Sequence, residues 1–208
     1  MTFTTNFHLV VQTGWNSRKL MELLAPSFFE SDPVSCARSL IGAHFQWNGC
    51  IGRIVETEAY LSLNDPACHT WSRPSARAFV DSQRAGDAYV YMNYGVHWLF
   101  NVLVKGSEGS GFVLLRALEP IAGIEQMRQR RGGVKDQLLG AGPGRLTRAF
   151  GIDGSAHGSR FLEQPGCGVI RPGKSVEICA GGRIGISKAT ENPWRFGDPA
   201  SPSLSRKF

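Results

Sequence analysis

Two glutamates and a tyrosine alternate along residues 52–60, whose sequence is GRIVETEAY. The alternating, β-branched pattern predicts a strand with Glu56, Glu58 and Tyr60 on one face. A carboxylate beside an aromatic ring in a water-poor pocket can act as a general base towards a bound water. The same spacing is also typical of a solvent-facing glutamate beside a half-buried tyrosine. It does not choose between Glu58 and Glu56.

Arg116 is the second residue whose position suggests chemistry, because it ends the apolar run at 112–115. An unpaired cation in such a strand would be costly. The side chain must therefore meet a carboxylate or reach a cavity. A structural ion pair with Glu119 is the simple alternative.

Residues 89–93 and 97–105 have strand-like sequences and flank Asn93-Tyr94-Gly95, which predicts a tight hairpin turn. Tyr94 would lie at its tip, where an exposed aromatic suits insertion between the bases of DNA. Asn101 would either hydrogen-bond a base edge or satisfy a backbone group. The other large aromatics of the hairpin are interpreted as core: Tyr89, Trp98 and Phe100.

His69 follows the first strand in a predicted loop, and no second His or Cys lies at ligand spacing. We therefore expect a stacking or hydrogen-bonding role and no metal site.

A group of basic residues forms either a phosphate-facing patch or an ordinary solvated face. Its members are Arg128, Arg130, Arg131, Lys135, Arg145 and Arg148. The glycines at 142 and 144 could offer backbone N–H groups to a phosphate at a helix start.

The composition indicates one folded domain, since 208 residues with 42% hydrophobic and 19% charged side chains can build a single core. The net charge of +6 favours a polyanionic partner or a small anionic substrate. Five scattered cysteines without a CxxC pair indicate neither disulfides nor zinc, and hence a reducing cytoplasm. No membrane span or secretory signal is predicted.

The predicted elements indicate an α+β fold, a single domain on a mostly antiparallel β-sheet with flanking helices and a protruding hairpin. Strands are expected at 112–118 and 177–187, besides those above. Helices are expected at 34–41, 121–131 and 138–150, the last interrupted or begun by Gly-Pro-Gly. Residues 1–25 are treated as an N-terminal extension and 26–208 as the domain. No glycine-rich phosphate motif follows a strand, which disfavours a nucleotide cofactor.

Taken in order, several motifs closely resemble the alkyladenine (3-methyladenine) DNA glycosylase family. They begin with RIVETEAY at 53–60, DPACH at 65–69 and YVYMNYG at 89–95. They continue with LLRALEP at 114–120, GPGRL at 142–146, RIGI at 183–186 and PWRF at 193–196. The resemblance covers about residues 26–203. It departs at 73–82, where the family's Arg-Thr-Pro-Arg-Asn pattern is altered and only the second arginine is kept, as Arg77.

The resemblance implies roles for the matching residues. Glu58 matches the general base, and Arg116 and the Ile184 main-chain carbonyl match groups that hold the attacking water. The remaining matches concern DNA: base-binding Tyr60, His69, Tyr91 and Asn101, intercalating Tyr94, and possible phosphate contacts from Arg145 and Arg77. Asn101 would disfavour guanine by clashing with its exocyclic amine.

The implied activity is that of a monofunctional glycosylase that flips 3-methyladenine, 7-methylguanine or hypoxanthine out of duplex DNA and hydrolyses the N-glycosidic bond, starting base excision repair. No cofactor and no metal are expected. The partner would be double-stranded DNA with damaged purines, bound by a monomer in the bacterial cytoplasm, or in the nucleus of a eukaryote. The alternatives are a DNA-binding protein without catalysis, an RNA-binding relative of the formyltransferase C-terminal domain, and a free-nucleoside hydrolase.

Overall fold

A computed structural model describes residues 22–173 and 175–208 of the chain. The strands are β1 His44–Trp47, β2 Cys50–Leu61, β3 Ala88–Asn93, β4 His97–Gly106, β5 Gly109–Ala122, β6 Cys167–Ile170, β7 Cys179–Gly181 and β8 Arg195–Gly197. The α-helices are α1 Pro33–Ser39, α2 His69–Ser72, α3 Pro74–Ser82, α4 Ile124–Arg131 and α5 Pro143–Phe150. Short 3-10 helices lie at Pro26–Phe29, Asp136–Leu138, Gly154–Ala156 and Phe161–Glu163.

These strands form one sheet in which every described pairing is antiparallel. Six strands follow the order β3-β4-β5-β2-β1-β6, and β8 pairs with both β2 and β7. The two longest strands, β2 and β5, lie side by side at the centre. The predicted α+β class and antiparallel sheet are confirmed.

The sheet carries a hydrophobic cluster on each face, because alternate residues of a strand point to opposite sides. The larger cluster includes Val102 and Val113 and packs under α1 and α5. The smaller cluster includes Leu103, which follows Val102, and Phe112, which precedes Val113. Residues of α3 complete it. The smaller cluster supports the aromatic side chains described below.

The three predicted helices form, but each begins at a different residue from the one expected. Asp32 caps α1 by accepting a hydrogen bond from the Ser35 N–H at 2.7 Å. The helix expected from 121 begins at Ile124, because β5 continues to Ala122 and Gly123 then turns with a φ of 73°. The helix expected from 138 begins at Pro143, so Gly-Pro-Gly marks its start.

The strand expected at 177–187 was wrong beyond residue 181, since only Cys179–Gly181 is extended and paired. The glycine pair at 181–182 and the positive φ of Gly185 end the regular backbone there. Sequence reasoning missed the short strands β1, β6 and β8 and the helices α2 and α3. His69, which was expected in a loop, is the first residue of α2. Most of the stretch 73–82, where the resemblance departs from the family pattern, forms α3, with Pro74 at its first turn.

Part of the predicted N-terminal extension lies outside the described residues, which begin at 22. Leu24 is buried, and its N–H donates to the Val169 carbonyl of β6 at 2.7 Å. Residues 22–25 thus pack on the sheet, and the boundary at 26 stays a prediction. Among the described helices, none has the length and apolar character needed to cross a membrane.

Candidate active site

Glu58 lies in the middle of β2, between β5 and β8, and its side chain is wholly buried. Its Oε1 accepts a hydrogen bond from the Ile184 N–H at 2.7 Å, and its Oε2 accepts one from the Tyr60 hydroxyl at 2.7 Å. The Nε of Arg116 is 3.5 Å from Oε1. Because each carboxylate oxygen has two lone pairs, both oxygens keep the capacity to accept a further hydrogen bond.

Burial raises the pKa of Glu58, and the nearby Glu56 charge acts in the same direction. Arg116, the Ile184 N–H and the Tyr60 hydroxyl oppose this change, but the net pKa is above the usual value. A carboxylate with a raised pKa holds a proton better than an ordinary glutamate does. That property suits a general base.

Glu56 also points towards Arg116, with a distance of 3.2 Å from its Oε1 to the Arg116 Nε. Arg195 donates its Nε–H to Glu56 Oε1 at 2.7 Å. Ser205 donates its backbone N–H at 2.6 Å and its hydroxyl at 2.9 Å to the two Glu56 oxygens. These contacts give Glu56 a structural role and leave Glu58 as the candidate base, a choice that the spacing alone left open.

Arg116 forms ion pairs with Glu56 and Glu58 and not with Glu119, so the expected partner was wrong although an ion pair does form. Glu119 lies with Arg53, which also contacts Asp198 at 2.6 Å. Arg116 instead lies between the two β2 carboxylates and donates its Nε–H to the Ser205 hydroxyl at 3.1 Å. Its two terminal nitrogens make no hydrogen bond within the described part of the chain.

His69 and Tyr91 form an aromatic wall near Glu58, with ring centroids 4.3 Å apart in an edge-on arrangement. The His69 Nδ1 is 3.1 Å from the hydroxyl of Tyr89, which also stacks on Phe112. Burial, with help from the Arg73 charge, lowers the pKa of His69 to about 4. The imidazole is therefore neutral at physiological pH and does not repel a cationic ring.

A buried ion pair that sequence reasoning missed supports Tyr60. Arg183 donates to both carboxylate oxygens of Asp65, at 2.6 and 2.9 Å, and neither side chain is exposed. The guanidinium of Arg183 lies 4.7 Å from the Tyr60 ring centre and 5.0 Å from that of Trp194. Both partners stood in matched motifs, but 118 residues separate them, so no local signal paired them.

Ile184 follows Arg183 directly, so the ion pair also fixes the backbone that donates to Glu58. The predicted water contact of the Ile184 carbonyl stays a prediction.

Asn101 is buried on β4, where its amide donates to the Tyr89 carbonyl at 3.1 Å. Asn101 thus satisfies a backbone group, as one interpretation expected, and its contact with a base stays a prediction.

Tyr94 lies at the tip of the β3–β4 hairpin and is 88% exposed. Asn93 pairs with His97 across a three-residue turn in which Tyr94 and Gly95 have φ of 50° and 67°. The non-glycine positive φ is uncommon and directs the ring outwards in a fixed turn. Val96 beside it is 68% exposed.

The predicted phosphate contacts are exposed arginines that also bind the protein's own backbone. Arg77 donates to the Thr70 carbonyl at 2.6 Å, which ties α3 to α2. Arg145 donates to the Ala141 carbonyl at 3.2 Å. In the basic group, Arg128 pairs with Glu125 and Asp136, while Arg130, Arg131 and Arg148 donate to backbone carbonyls. Their contact with phosphate stays a prediction.

No cluster of three or more His, Cys, Asp or Glu side chains suited to a metal ion lies among the described residues. The five cysteines are all unpaired thiols.

Comparison with known proteins gives a consistent family. The family model for methylpurine-DNA glycosylase matches residues 27–202. A protein of Nitrosospira multiformis named "Putative 3-methyladenine DNA glycosylase" is 44% identical over 189 residues, covering 90% of this chain and 97% of that protein. Proteins of the same name from Agrobacterium fabrum and Salinibacter ruber are 44% and 43% identical, each over 88% of this chain and over 92% and 100% of their own lengths.

Proposed function

This chain belongs to the methylpurine-DNA glycosylase family and is a DNA glycosylase, and from that premise we propose that it releases damaged purines through a water activated by Glu58. The observation that carries the proposal is the buried Glu58 carboxylate, held by the Ile184 N–H and the Tyr60 hydroxyl and facing Arg116. Its substrates are 3-methyladenine, 7-methylguanine and hypoxanthine in duplex DNA.

In the proposed reaction the damaged nucleotide turns out of the duplex so that its sugar lies over Glu58. Water adds to the anomeric carbon as the bond to the base breaks, and Glu58 accepts the proton that the water loses. The free terminal nitrogens of Arg116 and the Ile184 carbonyl hold this water. The leaving base carries away the electrons of the broken bond.

The aromatic wall selects the base. Tyr60 on one side and His69 with Tyr91 on the other sandwich the extruded purine, and each stacking contact contributes about 1–3 kcal/mol. An N-methylated purine is cationic, so it stacks well on electron-rich faces and leaves as a neutral base. The neutral state of His69 supports this preference. Asn101 excludes guanine by contact with its exocyclic amine.

The proposed site contains no lysine, so the mechanism uses no Schiff base and the enzyme only removes the base. Tyr94 enters the minor groove and fills the gap that the nucleotide leaves, while Arg145 and Arg77 contact phosphates. The net charge of +6 suits binding to duplex DNA by a monomer.

The direct test measures release of free base from duplexes that carry 3-methyladenine, 7-methylguanine or hypoxanthine. We expect release from all three, slowest for hypoxanthine, because this neutral base must gain a proton as it leaves. Competition by undamaged duplex should slow the reaction, which separates this enzyme from a hydrolase of free nucleosides. Tight duplex binding without release would favour the non-catalytic alternative.

The activity should depend on pH through Glu58. Only the ionised carboxylate accepts a proton, so kcat/KM should rise with pH through an apparent pKa above the usual 4.5. Measured on a 7-methylguanine duplex, the profile should have this acid limb in the wild type, whereas the residual activity of Glu58→Gln should lack it. A wild-type profile that stays flat as the pH falls through this region would contradict the role of Glu58.

Replacing Tyr94 by alanine should lower kcat/KM about 10–100-fold, because an inserted ring contributes about 1–3 kcal/mol of stacking. Tyr94→Phe, which keeps the ring, serves as the matched control and should stay near the wild type. The turn should survive both changes, since the Tyr94 ring is exposed. Equal kcat/KM for Tyr94→Ala and the wild type would show that the hairpin tip does not enter DNA.

A further inference from the structure

The segment 201–208 follows β8 and returns to the candidate site, where Ser205 contacts two of its charged groups. Its backbone N–H and hydroxyl donate to the two oxygens of Glu56, at 2.6 and 2.9 Å. Its hydroxyl oxygen accepts the Arg116 Nε–H at 3.1 Å. Ser205 thus links the structural carboxylate to the arginine that faces Glu58, although it belongs to neither central strand.

The same segment is anchored by Arg195 of β8. Arg195 donates its Nε–H to Glu56 at 2.7 Å and hydrogen-bonds the Arg206 carbonyl through its Nη2. Its guanidinium lies 3.9 Å from the centre of the Phe208 ring. That ring packs over Gly197, where a side chain would collide with it. The position of Ser205 therefore depends on packing at the end of the segment as well as on its own hydrogen bonds.

Two buried carboxylates could each hydrogen-bond the same arginine, and the contacts of Ser205 and Arg195 determine how that arginine is oriented. Glu56 and Glu58 are both fully buried, and the Arg116 Nε is 3.2 Å from the first and 3.5 Å from the second. A buried carboxylate with unmet hydrogen-bonding capacity would draw Arg116 towards itself. Arg195 and Ser205 already donate three hydrogen bonds to Glu56. The Arg116 Nε–H can then be directed to the Ser205 hydroxyl.

With its Nε fixed in this way, Arg116 keeps both terminal nitrogens free of hydrogen bonds to any residue that the structure describes. We propose that Ser205 is a positioning residue of the glycosylase. It holds Arg116 beside Glu58 by donating two hydrogen bonds to Glu56 and by accepting the Arg116 Nε–H. The inference rests on the proposed role of Glu58 and Arg116. In this role Ser205 acts through Arg116, and no contact of its own with the water or the DNA is required.

The test compares Ser205→Ala with Ser203→Ala. Ser203 is buried in the same segment, but its hydroxyl makes no hydrogen bond to a described residue, so its removal leaves the site network intact. With the enzyme in excess over a 7-methylguanine duplex, Ser205→Ala should lower the single-turnover rate about tenfold. Its affinity for a duplex with a stable abasic-site analogue should stay within about twofold, because the proposed role of Ser205 is exerted through Arg116 on the chemical step.

Ser205→Thr, which keeps the hydroxyl, should recover most of the rate. A Ser205→Ala rate equal to that of Ser203→Ala would overturn the proposal, even if the melting temperature fell, since the role would then be purely structural. If Ser205→Ala does not fold, Phe208→Ala provides a second test of the proposal. It removes the anchoring ring, and we expect the same loss of rate with unchanged affinity, whereas a wild-type rate would overturn the proposal. Failure of the wild type to release any base would instead overturn the proposed function.

Discussion

Replacing Glu58 by glutamine should lower the rate of base release about 10²–10⁴-fold, the usual contribution of a general base. Glutamine has almost the same shape: its amide oxygen can accept the Ile184 N–H, and its NH2 can donate to the Tyr60 hydroxyl oxygen. It cannot take a proton from water. The affinity for damaged duplex should therefore remain, and the loss should appear in kcat and in single-turnover rates on a 7-methylguanine duplex.

Glu163→Gln provides the control for this change. Glu163 is a half-exposed carboxylate that pairs with Arg84 on the surface, and its loss should leave base release at the wild-type rate. Equal release by Glu58→Gln and the wild type would remove Glu58 from the mechanism and direct attention to Glu56. Loss of release together with loss of duplex binding would indicate damage to the fold and would not support the proposed chemistry.

Breaking the Asp65–Arg183 pair should have the largest effect on stability. Asp65→Asn leaves the guanidinium of Arg183 buried without a counter-charge, which typically costs about 3–5 kcal/mol. The Asp65 carboxylate also accepts hydrogen bonds from the Leu61 and Ala67 N–H groups, both at 3.1 Å, so it fixes the turn after β2 as well. Urea unfolding should show a lower midpoint with an unchanged slope.

The matched comparison is Glu163→Gln again, which breaks an ion pair of the same type on the surface. Because water screens that pair, its loss should change the free energy of unfolding by less than about 1 kcal/mol. If Asp65→Asn cost no more than Glu163→Gln, the buried pair would not stabilise the fold as we expect. In that case Tyr60 and Ile184 would be held by other contacts.

Local sequence patterns predicted the parts of the fold that depend on neighbouring residues. The long strands β2 and β5, the β3–β4 hairpin and the class of the sheet followed from alternation and turn residues. The short strands β1 and β6 span four residues each, which is too little for a periodic signal. The helix α3 was not predicted because Arg73, which precedes Pro74, makes no capping hydrogen bond, so the usual signal of a helix start is missing.

The sequence by itself determined that Glu58 and Tyr60 share a face of one strand and that Tyr94 stands at a hairpin tip, because both depend only on residues a few positions apart. Only the tertiary structure showed that Glu56 is already held by other groups, which is why Glu58 is the proposed base. Glu56 is satisfied by Arg195 and Ser205, which lie 139 and 149 residues further along the chain. Such pairing depends on how the chain closes on itself, since a buried charge takes whichever donor packing brings within reach.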